Sequence, residues 1–367
     1  SIAGSRLAGF VFIPYFGINS IIIGTGIILS LWGIFGFLFL GPIDSDLKST
    51  ESFKWNQDKK TLALMILLFL SELLLLFFYF PRKQPNIVYE KDGVYEKIKI
   101  FDDQWNNQPA RFLLLDKSWS SATYLNSDEL AFEYSKYYRL YKLFNSKAKN
   151  AFFIGGGAYS IPKAFLADSP EMQVDVAEIE PSLFFLAKEY FDFQNTDRLN
   201  NYTEDGRRFL NKNQKKYDII AADVYYSFFS MPIHLTTKEF FSLAKNRLSD
   251  KGVFIGNFAG DLNKEAPSFI LSEIKTFRSV FTNSYFFSVE SVNTSNSQNV
   301  IFLGINSQEQ IDFRADEILE SSDPIIKNLH KKNIDLNQFD FSKYQEITDD
   351  FSPVEYYVSQ LINHWYR

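Results

Sequence analysis

The sequence contains no cysteine, which excludes disulfides, thiolate metal sites and cysteine nucleophiles. Its three histidines, His234, His330 and His364, lie far apart in the chain, so a histidine-rich metal centre is not expected. No basic block occurs and the net charge is −6, so the chain lacks the cationic stripe that binds nucleic-acid phosphates. We therefore expect neither a metal nor a nucleic acid among its ligands.

Apolar residues are concentrated at the N-terminus. Residues 7–43 carry no charged side chain, and the stretch 17–40 exceeds the roughly 20 residues that span a bilayer. A second apolar run covers residues 61–80, with Arg82 and Lys83 shortly after it. The number and length of the runs disfavour a signal peptide, and the missing polar stripe disfavours buried core helices. We predict two membrane spans, at 17–40 and 61–80, with the lipid bilayer as a partner.

The first residues resemble the end of an earlier span. The chain begins at Ser1 rather than methionine, and small residues at Ala3, Gly4, Ala8 and Gly9 allow membrane helices to approach closely. We expect the C-terminal part of a larger, multi-pass membrane protein.

From about residue 84 the pattern changes to that of an α/β protein. Short alternating runs predict a small antiparallel sheet, and an alternation of strands and helices then predicts a mainly parallel sheet. The predicted strands are 151–154, 174–179, 217–222, 252–258 and 300–305, and the main helices are 161–167, 238–248 and 267–281. Thr236 with Glu239 predicts a capping box for the second of these helices. The predicted domains are a membrane part (1–83), a small β-domain (84–147), a Rossmann-like nucleoside-binding domain (148–310) and a C-terminal extension (311–367).

A glycine run follows the first strand of the predicted parallel sheet. Gly155, Gly156 and Gly157 allow a tight turn or a close approach of the backbone to a ligand. Glu178 lies 21 residues after Gly157 and ends the second strand, where an acid accepts hydrogen bonds from ribose hydroxyls. The run reads GGGAYS rather than G-x-G-x-x-G, which favours a nucleoside without pyrophosphate.

Two further acids belong to this pattern. Asp205, followed by Gly206, is placed to meet an adenine amino group, and Asp223 ends a buried strand. Ligands of open parallel sheets bind at those carboxyl ends. Each of Glu178, Asp205 and Asp223 has an alternative role as the cap of a following helix.

Five segments together carry a family resemblance: IGGGAYSIPKAF, VDVAEIEP, EDGRRFL, YDIIAADVYY and SMPIHLTTKEFF. They resemble the spermidine synthase (polyamine aminopropyltransferase) family, and more closely the branch in which membrane spans precede the synthase domain. The resemblance implies a methyltransferase-like Rossmann fold with a small N-terminal β-domain, preceded by transmembrane helices. It also implies decarboxylated S-adenosylmethionine as cosubstrate, with no permanently bound cofactor, no metal, and an amine as the second substrate.

The resemblance assigns roles by position. It implies that Glu178 binds the ribose, that Asp205 and Gly206 contact the adenine, and that Asp223 accepts the proton of the attacking amine. Pro232 then lines the nucleoside site, and Glu96 stands where the family usually has a glutamine contacting the nucleoside.

Three positions of the amine site depart from the family pattern. Ala158 replaces an acid that holds the aminopropyl ammonium, Tyr226 replaces the second acid of a D-x-x-D loop, and Tyr134-Ser135-Lys136 replaces tyrosine-histidine-glutamate. A lysine facing the pocket would repel a polyamine. These departures leave two alternatives open: a methyltransferase that uses S-adenosylmethionine itself, and a non-catalytic nucleoside or polyamine sensor coupled to a membrane domain. We further expect a homo-oligomer whose soluble domain is cytoplasmic, where the cosubstrate is made.

Overall fold

The structure, a computed structural model, describes residues 2–39, 61–71, 73–74, 86–223, 232–265, 267–294, 296–357 and 359 of the 367 residues. The chain divides into two compact units, Ser1–Val94 and Tyr95–Arg367.

The first unit is helical in its described part, apart from strand β1 (Ile87–Asp92). Helices cover Ile2–Leu7, Ala8–Phe12, Ile13–Phe16 and Ile18–Phe39, and residues 61–71 are also helical. Pro14 opens the third of these, where its fixed φ suits a first turn.

The prediction of two membrane spans is not confirmed. In the part of the chain that the structure describes, no helix has the length and apolarity required to cross a membrane. Residue 40 of the first predicted span, and residues 72 and 75–80 of the second, lie outside the described residues.

The second unit begins with an antiparallel meander of three strands, β2 (Lys97–Trp105), β3 (Gln108–Leu115) and β4 (Ser118–Tyr124). The left-handed residues Asn106 and Asn107 form the tight turn between β2 and β3. Alternate residues of β3 point inward, so Phe112 packs between Phe101 and Trp119. The predicted small β-domain is therefore present. Three short helical segments follow it: Glu133–Lys136, Tyr137–Leu140 and Tyr141–Phe144.

A seven-stranded sheet forms the centre of this unit. Its strands are β5 (Asn150–Ile154), β6 (Gln173–Glu178), β7 (Leu199–Thr203), β8 (Tyr217–Ala222), β9 (Leu248–Gly260), β10 (Ser284–Ser288) and β11 (Gln298–Ile305). They lie in the order β10-β11-β9-β8-β5-β6-β7. The strands from β5 to β9 pair in parallel, whereas β11 is antiparallel to both its neighbours. This topology confirms the predicted Rossmann-like methyltransferase fold.

Helices cover both faces of this sheet because its central strands are apolar on both faces. In β5, Ala151 and Phe153 belong to one hydrophobic core, while Phe152 and Ile154 belong to the core on the opposite face. The longer helices are Ser160–Asp168, Leu183–Tyr190, Gly206–Lys212, Lys238–Arg247 and Phe269–Val280.

The C-terminal segment contributes to both cores. Phe313 and Leu329 pack into the first core, and Phe339 and Tyr344 pack into the second. Its short helical turns are Asp316–Leu319, Pro324–Lys327, Leu329–Lys332, Leu336–Gln338 and Phe341–Lys343.

One helix start differs from the prediction. Thr237, rather than Thr236, is the N-cap of helix Lys238–Arg247, because its hydroxyl accepts the amide N–H of Phe240. Thr236 instead donates its hydroxyl to the carbonyl of Ile233, and the Glu239 carboxylate accepts the amide of Asp349. The predicted capping box was therefore wrong: with Thr237 as the N-cap, the N3 residue is Phe240, which has no carboxylate to complete the box.

Candidate active site

A cavity of about 580 Å³ opens at the carboxyl ends of β5, β6 and β8. Its opposite wall comes from β4 and from the helical turn Glu133–Lys136. Ligands bind at this edge in open parallel sheets, and the order of the strands reverses there around β5. The sequence-predicted acids Glu178, Asp205 and Asp223 all line this one cavity.

The glycine run forms the floor of the cavity directly after β5. Gly155 and Gly157 have φ angles of 85° and 52°, a region that glycine adopts without a steric penalty. A side chain at Gly157 would place its Cβ 2.7 Å from the Oγ of Ser121 on β4. The glycine turn therefore lies against serine side chains of β4, and the positive φ of Gly157 is what favours glycine there.

Glu178 anchors the glycine turn. Its Oε2 accepts the amide N–H groups of Gly156 (2.8 Å) and Gly157 (3.2 Å), and its Oε1 accepts the amide of Glu180 (2.8 Å). Burial raises the pKa of Glu178, while the three backbone N–H groups oppose that rise by stabilising the ionised form. These partners exclude the alternative that Glu178 caps a helix. The two bonds to Oε2 use both of its lone pairs, so Oε1 keeps the one lone pair left for a ligand hydroxyl.

Asp205 has both of the roles that its sequence left open. It is the N-cap of helix Gly206–Lys212, since its Oδ1 accepts the amide of Arg208 at 2.8 Å, and it also lines the cavity. Its Oδ2 lies 2.7 Å from Nε2 of His234. Burial would raise the pKa of Asp205, but the hydrogen bonds from His234 and Arg208 outweigh it and lower the pKa. Gly206 is required by packing, because a Cβ there would overlap Ile154.

Asp223 lies at the end of β8 and is held by two side chains. Tyr134 donates its hydroxyl to Oδ2 at 3.1 Å, and Asn257 donates its amide Nδ2 to Oδ1 at 3.4 Å. Burial raises the pKa of Asp223 to about 6, although the bonds from Asn257 and Tyr134 oppose the rise. Near neutral pH this carboxylate is mostly ionised, yet close enough to its pKa to take up a proton.

Glu96 lines the same cavity near Glu178 and is 7% exposed. Its Oε2 has no hydrogen-bond partner among the described residues. Burial raises the pKa of Glu96 to about 8, and the negative charges of Glu178, Asp116 and Glu180 add to that rise. The neutral form therefore dominates at pH 7, and a protonated carboxyl offers one O–H donor, as the amide of a glutamine offers N–H donors.

Of the remaining predicted positions, some line the cavity and others do not. Pro232 lines the cavity as expected. Ala158 is 2% exposed, and it is absent from the cavity wall that the described residues form; its amide N–H bonds to Oγ of Ser121. Lys136 is likewise absent from that wall and forms an ion pair of 3.0 Å with Glu133. The prediction for Tyr226 lies outside the described residues.

Several lining residues were not anticipated from the sequence. They are Trp105, Lys117, Trp119, Ser120, Ser121, Glu133, His234, Asn257 and Glu290. Most come from β4, from the turn after it, or from strands far along the chain, so no local spacing connects them to the glycine run. Of these residues, only His234 could have been found from the sequence, because it follows the predicted Pro232 by two positions.

Acidic residues outnumber basic residues in the described cavity wall. Seven acidic residues line it in the described part of the chain: Glu96, Glu133, Glu178, Glu204, Asp205, Asp223 and Glu290. The basic residues among the same lining are Lys117 and His234. No group of three or more His, Asp or Glu side chains within the described ranges is arranged to hold a metal ion. The wall therefore suits a cationic organic ligand.

Comparisons with known proteins agree with this geometry. Residues 140–315 match the sequence model of the spermine/spermidine synthase domain. A polyamine aminopropyltransferase of Vibrio vulnificus is 25% identical over 277 residues, which cover 74% of this chain and 91% of that protein. A protein of Bifidobacterium longum described as a probable polyamine aminopropyl transferase is 29% identical over 157 residues, 41% of this chain and 33% of that protein.

A solved structure shares the fold. The crystal structure of a probable spermidine synthase from Corynebacterium glutamicum has a TM-score of 0.59 and 20% identity, covering 71% of this chain and 96% of that chain. The predicted membrane-fused branch is not confirmed by any of these matches. The domain match, the curated relatives and the shared fold together support the predicted relation of this chain to the spermidine synthase family.

Proposed function

We propose that this protein transfers an aminopropyl group from decarboxylated S-adenosylmethionine to an amine acceptor. The single observation that carries the proposal is Asp223, a half-buried carboxylate at a strand end, in a cavity whose ionisable residues are mostly acidic. The domain match and the aminopropyltransferase relatives support the same activity.

The charge of the cavity wall fits the charges of the proposed substrates. The cosubstrate carries a sulfonium and an ammonium, and an alkyl amine is protonated near neutral pH, with a reference pKa of about 10.4. Opposite charges attract more strongly in a partly buried site than in water. Glu96 is mainly neutral at pH 7, and Glu133, Glu204 and Asp205 have basic partners. Glu178, Asp223 and Glu290 are the carboxyl groups of the described wall that are left to attract a cationic substrate.

The same charges argue against the methyltransferase alternative. Intact S-adenosylmethionine carries a carboxylate, which would lie against an acidic wall unless a cation or several N–H donors met it. In the described wall only Lys117 and His234 could supply that charge. The aminopropyl arm of the decarboxylated cosubstrate lacks this carboxylate and so avoids the repulsion.

The chemistry can proceed with the residues present. The acceptor ammonium gives one proton to the carboxylate of Asp223, and the lone pair of the resulting amine attacks the carbon bonded to the sulfonium. The new C–N bond forms as the C–S bond breaks, and the electron pair of that bond stays on sulfur. The products are a secondary ammonium and neutral methylthioadenosine, and Asp223 later releases its proton to solvent.

Positioning supplies much of the remaining catalysis. The leaving group is a neutral thioether, so no oxyanion has to be stabilised, and holding the two substrates in line accelerates the attack. We assign the ribose to Glu178, which ends β6, and the adenine to Asp205, which follows β7. Asp223 and Tyr134 lie on the other side of the glycine turn, next to β8.

Parallel turnover assays test this proposal. The purified protein is supplied with decarboxylated or with intact S-adenosylmethionine, each with a panel of primary amines. We expect methylthioadenosine from the decarboxylated cosubstrate alone. Methyl transfer from the intact cosubstrate would replace the proposal with the methyltransferase alternative, and nucleoside binding without any turnover would favour the sensor alternative.

We further propose that the N-terminal part attaches the protein to a membrane, with the catalytic unit in the cytoplasm. Helix Ile18–Phe39 has no charged residue, and Ile22, Leu29 and Trp32 are 64%, 66% and 67% exposed. Leu67 in the second apolar run is 63% exposed. Exposed apolar surface of this extent is typical of contact with lipid or with another protein.

An alkaline carbonate wash tests the attachment. The full chain, expressed in cells, should stay with the lipid pellet. Residues 95–367, expressed alone, are the comparison if they fold. Release of the full chain into the supernatant would reject the membrane attachment without touching the enzymatic proposal.

A further inference from the structure

The short helical turn Ile233–Leu235 carries Pro232 and His234 to the cavity wall, on the side to which we assign the adenine. The ring of His234 donates from Nε2 to Oδ2 of Asp205 at 2.7 Å, since an ionised carboxylate can only accept. Arg207, two residues after Asp205, donates from Nη1 to the carbonyl of His234 at 2.8 Å. Asp205 and Arg207 therefore both hold this turn, one through the ring of His234 and one through its carbonyl.

Arg207 is itself fixed by a carboxylate of the C-terminal segment. Its two terminal nitrogens donate to the two carboxylate oxygens of Asp349, Nη1 to Oδ1 at 2.7 Å and Nη2 to Oδ2. Thr237 donates its hydroxyl to the same Oδ1 at 2.7 Å. The hydrogen bond from Arg207 lowers the pKa of Asp349, so this carboxylate is ionised at neutral pH.

The exposure of this ion pair has to be weighed against its geometry. The side chain of Asp349 is 43% exposed and that of Arg207 is 18% exposed, and a single surface pair contributes little to stability. A two-point pair does more than add energy, because it fixes the plane of the guanidinium. The pair therefore determines where the remaining N–H of Arg207 points, and that group meets the carbonyl of His234.

Residues 346–349, which we call the C-terminal strap, also contact the turn through apolar packing. The amide N–H of Lys238 donates to the carbonyl of Ile347 at 2.9 Å, which places the strap at the start of a helix. Ile347 is fully buried in a cluster with Phe269, and Ile233 of the turn packs against this cluster. The strap thus reaches the turn from two sides, through the guanidinium and through this cluster.

We propose that Arg207 and Asp349 are positioning residues for the adenine: together they hold His234 where its ring directs Oδ2 of Asp205 toward the nucleobase. Neither of them belongs to the cavity wall that the described residues form, so both act through His234. Oδ1 of Asp205 already caps its helix, whereas Oδ2 keeps a second lone pair beside His234. This inference rests on the proposed nucleoside binding and extends the adenine site to the C-terminal strap.

A merely structural role of the ion pair makes a different prediction. If the pair only docks the strap, its loss lowers the melting temperature, while folded protein binds adenine and hypoxanthine nucleosides in an unchanged ratio. If the pair directs Asp205, that ratio falls. The carboxylate accepts the amino group of adenine, whereas hypoxanthine presents a carbonyl oxygen there, which cannot donate. A hydrogen bond to a charged group corresponds to about a tenfold to hundredfold change in binding.

The experiment compares Asp349→Asn with the wild type in calorimetry with methylthioadenosine and methylthioinosine, below the melting temperature of both proteins. We expect the Kd of methylthioadenosine to rise about fivefold or more, the lower end of typical couplings between separate sites. The Kd of methylthioinosine should change less than about twofold, and so should the acceptor KM for 1,4-diaminobutane. Asp350→Asn, at the exposed neighbouring position, is the matched control and should behave as wild type.

A second variant tests whether the two residues act as one unit. Arg207→Lys keeps the positive charge, but a single ammonium cannot replace the planar fork that joins Asp349 to the carbonyl of His234. It should lower the preference for methylthioadenosine as Asp349→Asn does, and it replaces that variant if the asparagine protein does not fold. The double variant should lose little more than either single variant, because the shared contact is already broken. Fully additive losses would show that the two residues act separately and would overturn the inference.

The outcomes separate this inference from the proposed function. If the wild type binds neither nucleoside, the proposed nucleoside site and this inference fall together. If the wild type prefers methylthioadenosine and Asp349→Asn keeps that preference unchanged, only this inference is overturned. Equal binding of the two nucleosides by the wild type would also overturn it, because the amino group of adenine would then not be recognised, whereas aminopropyl transfer would stand.

Discussion

The two sides of the cavity hold their carboxylates by different means. On the side of β6, Glu178 is bound by backbone N–H groups of the glycine turn and of Glu180. On the side of β8, the carboxylate partners of Asp223 among the described residues are the side chains of Tyr134 and Asn257, at 3.1 and 3.4 Å. Glu178 is buried and Asp223 is half-buried at a strand end, and loss of solvent around each carboxyl raises its pKa.

The difference separates a binding role from a chemical one. Backbone donors fix the position and the charge of Glu178, which suits a group that holds a ligand through the whole reaction. Longer bonds from side chains leave Asp223 with a pKa of about 6, which suits a group that gains and loses a proton. In the proposed assignment, the side that binds the nucleoside is held by backbone donors, while the side that binds the amine is held by side chains.

Replacement of Asp223 should have the largest effect on turnover. Asp223→Asn should lower turnover by about 10² or more, because the amide cannot accept the proton of the amine. The affinity for methylthioadenosine, measured by calorimetry, should remain nearly intact. Asp250→Asn, an exposed residue outside the cavity, is the matched control. A loss of nucleoside affinity as large as the loss of turnover would erase the proposed division between the two sides.

Replacement of Glu178 should have the second-largest effect, which is on nucleoside affinity. Glu178→Ala removes the acceptor for the ribose and also the acceptor for three backbone N–H groups. We expect the affinity for methylthioadenosine to fall about tenfold or more and the melting temperature to fall with it. Glu189→Ala, an exposed acid on the following helix, should change neither quantity. An unchanged affinity in the Glu178 variant would remove this acid from the nucleoside site.

The third prediction concerns Ala158, where the sequence suggests that an aspartate would restore a counter-charge for the aminopropyl ammonium. The structure indicates a different result, because Ala158 is 2% exposed and its amide is bonded to Ser121. A carboxylate buried there without a partner is costly, so Ala158→Asp should lose about 2 kcal/mol of unfolding free energy without a gain in turnover. Chemical denaturation checks this, with the exposed Ala167→Asp as control. Higher turnover at unchanged stability would return Ala158 to the amine site.

The pH dependence of turnover gives a fourth test. The carboxylate of Asp223 must be ionised to accept a proton, and its pKa is raised to about 6 by burial. The value of kcat/KM should therefore fall as the pH drops through about 6. A profile that stays flat from pH 7 to pH 5 would contradict the assignment of Asp223 as the proton acceptor.

Much of the fold could be predicted from the sequence because its signals are local. The run Tyr217–Ala222 is apolar on both faces, which already required a central strand with cover on both sides. The glycine turn and the acids Glu178 and Asp223 could be predicted for the same reason, since topology brings strand ends together.

The other wall of the cavity could not be predicted in this way. Asn257 and Ser121 are separated from Asp223 and Gly157 by tens of residues, and only the packed sheets bring each pair together. At Lys136 the substitution is visible in the sequence, but its consequence is not: the lysine is absent from the described cavity wall and forms an ion pair with Glu133, which lines it.

The smallest expected effect concerns Glu96, on the nucleoside side. Its folded-state pKa is raised to about 8 from an ordinary value of 4.5, so the folded state keeps a proton that the unfolded state has lost. Its contribution to stability is therefore complete below pH 4.5 and is lost as the pH rises through 8. Glu96→Gln keeps the shape of the side chain but cannot ionise. Between pH 4.5 and pH 8 the melting temperature of this variant should therefore rise relative to that of the wild type. We expect a rise of at least about 2 °C, which corresponds to about 1 kcal/mol. Differential scanning calorimetry from pH 4.5 to 8.5 checks this, with the exposed Glu129→Gln as control. A constant difference across that range would mean that Glu96 is ionised in the folded protein, and the side of the cavity that holds the ribose would then carry one more negative charge.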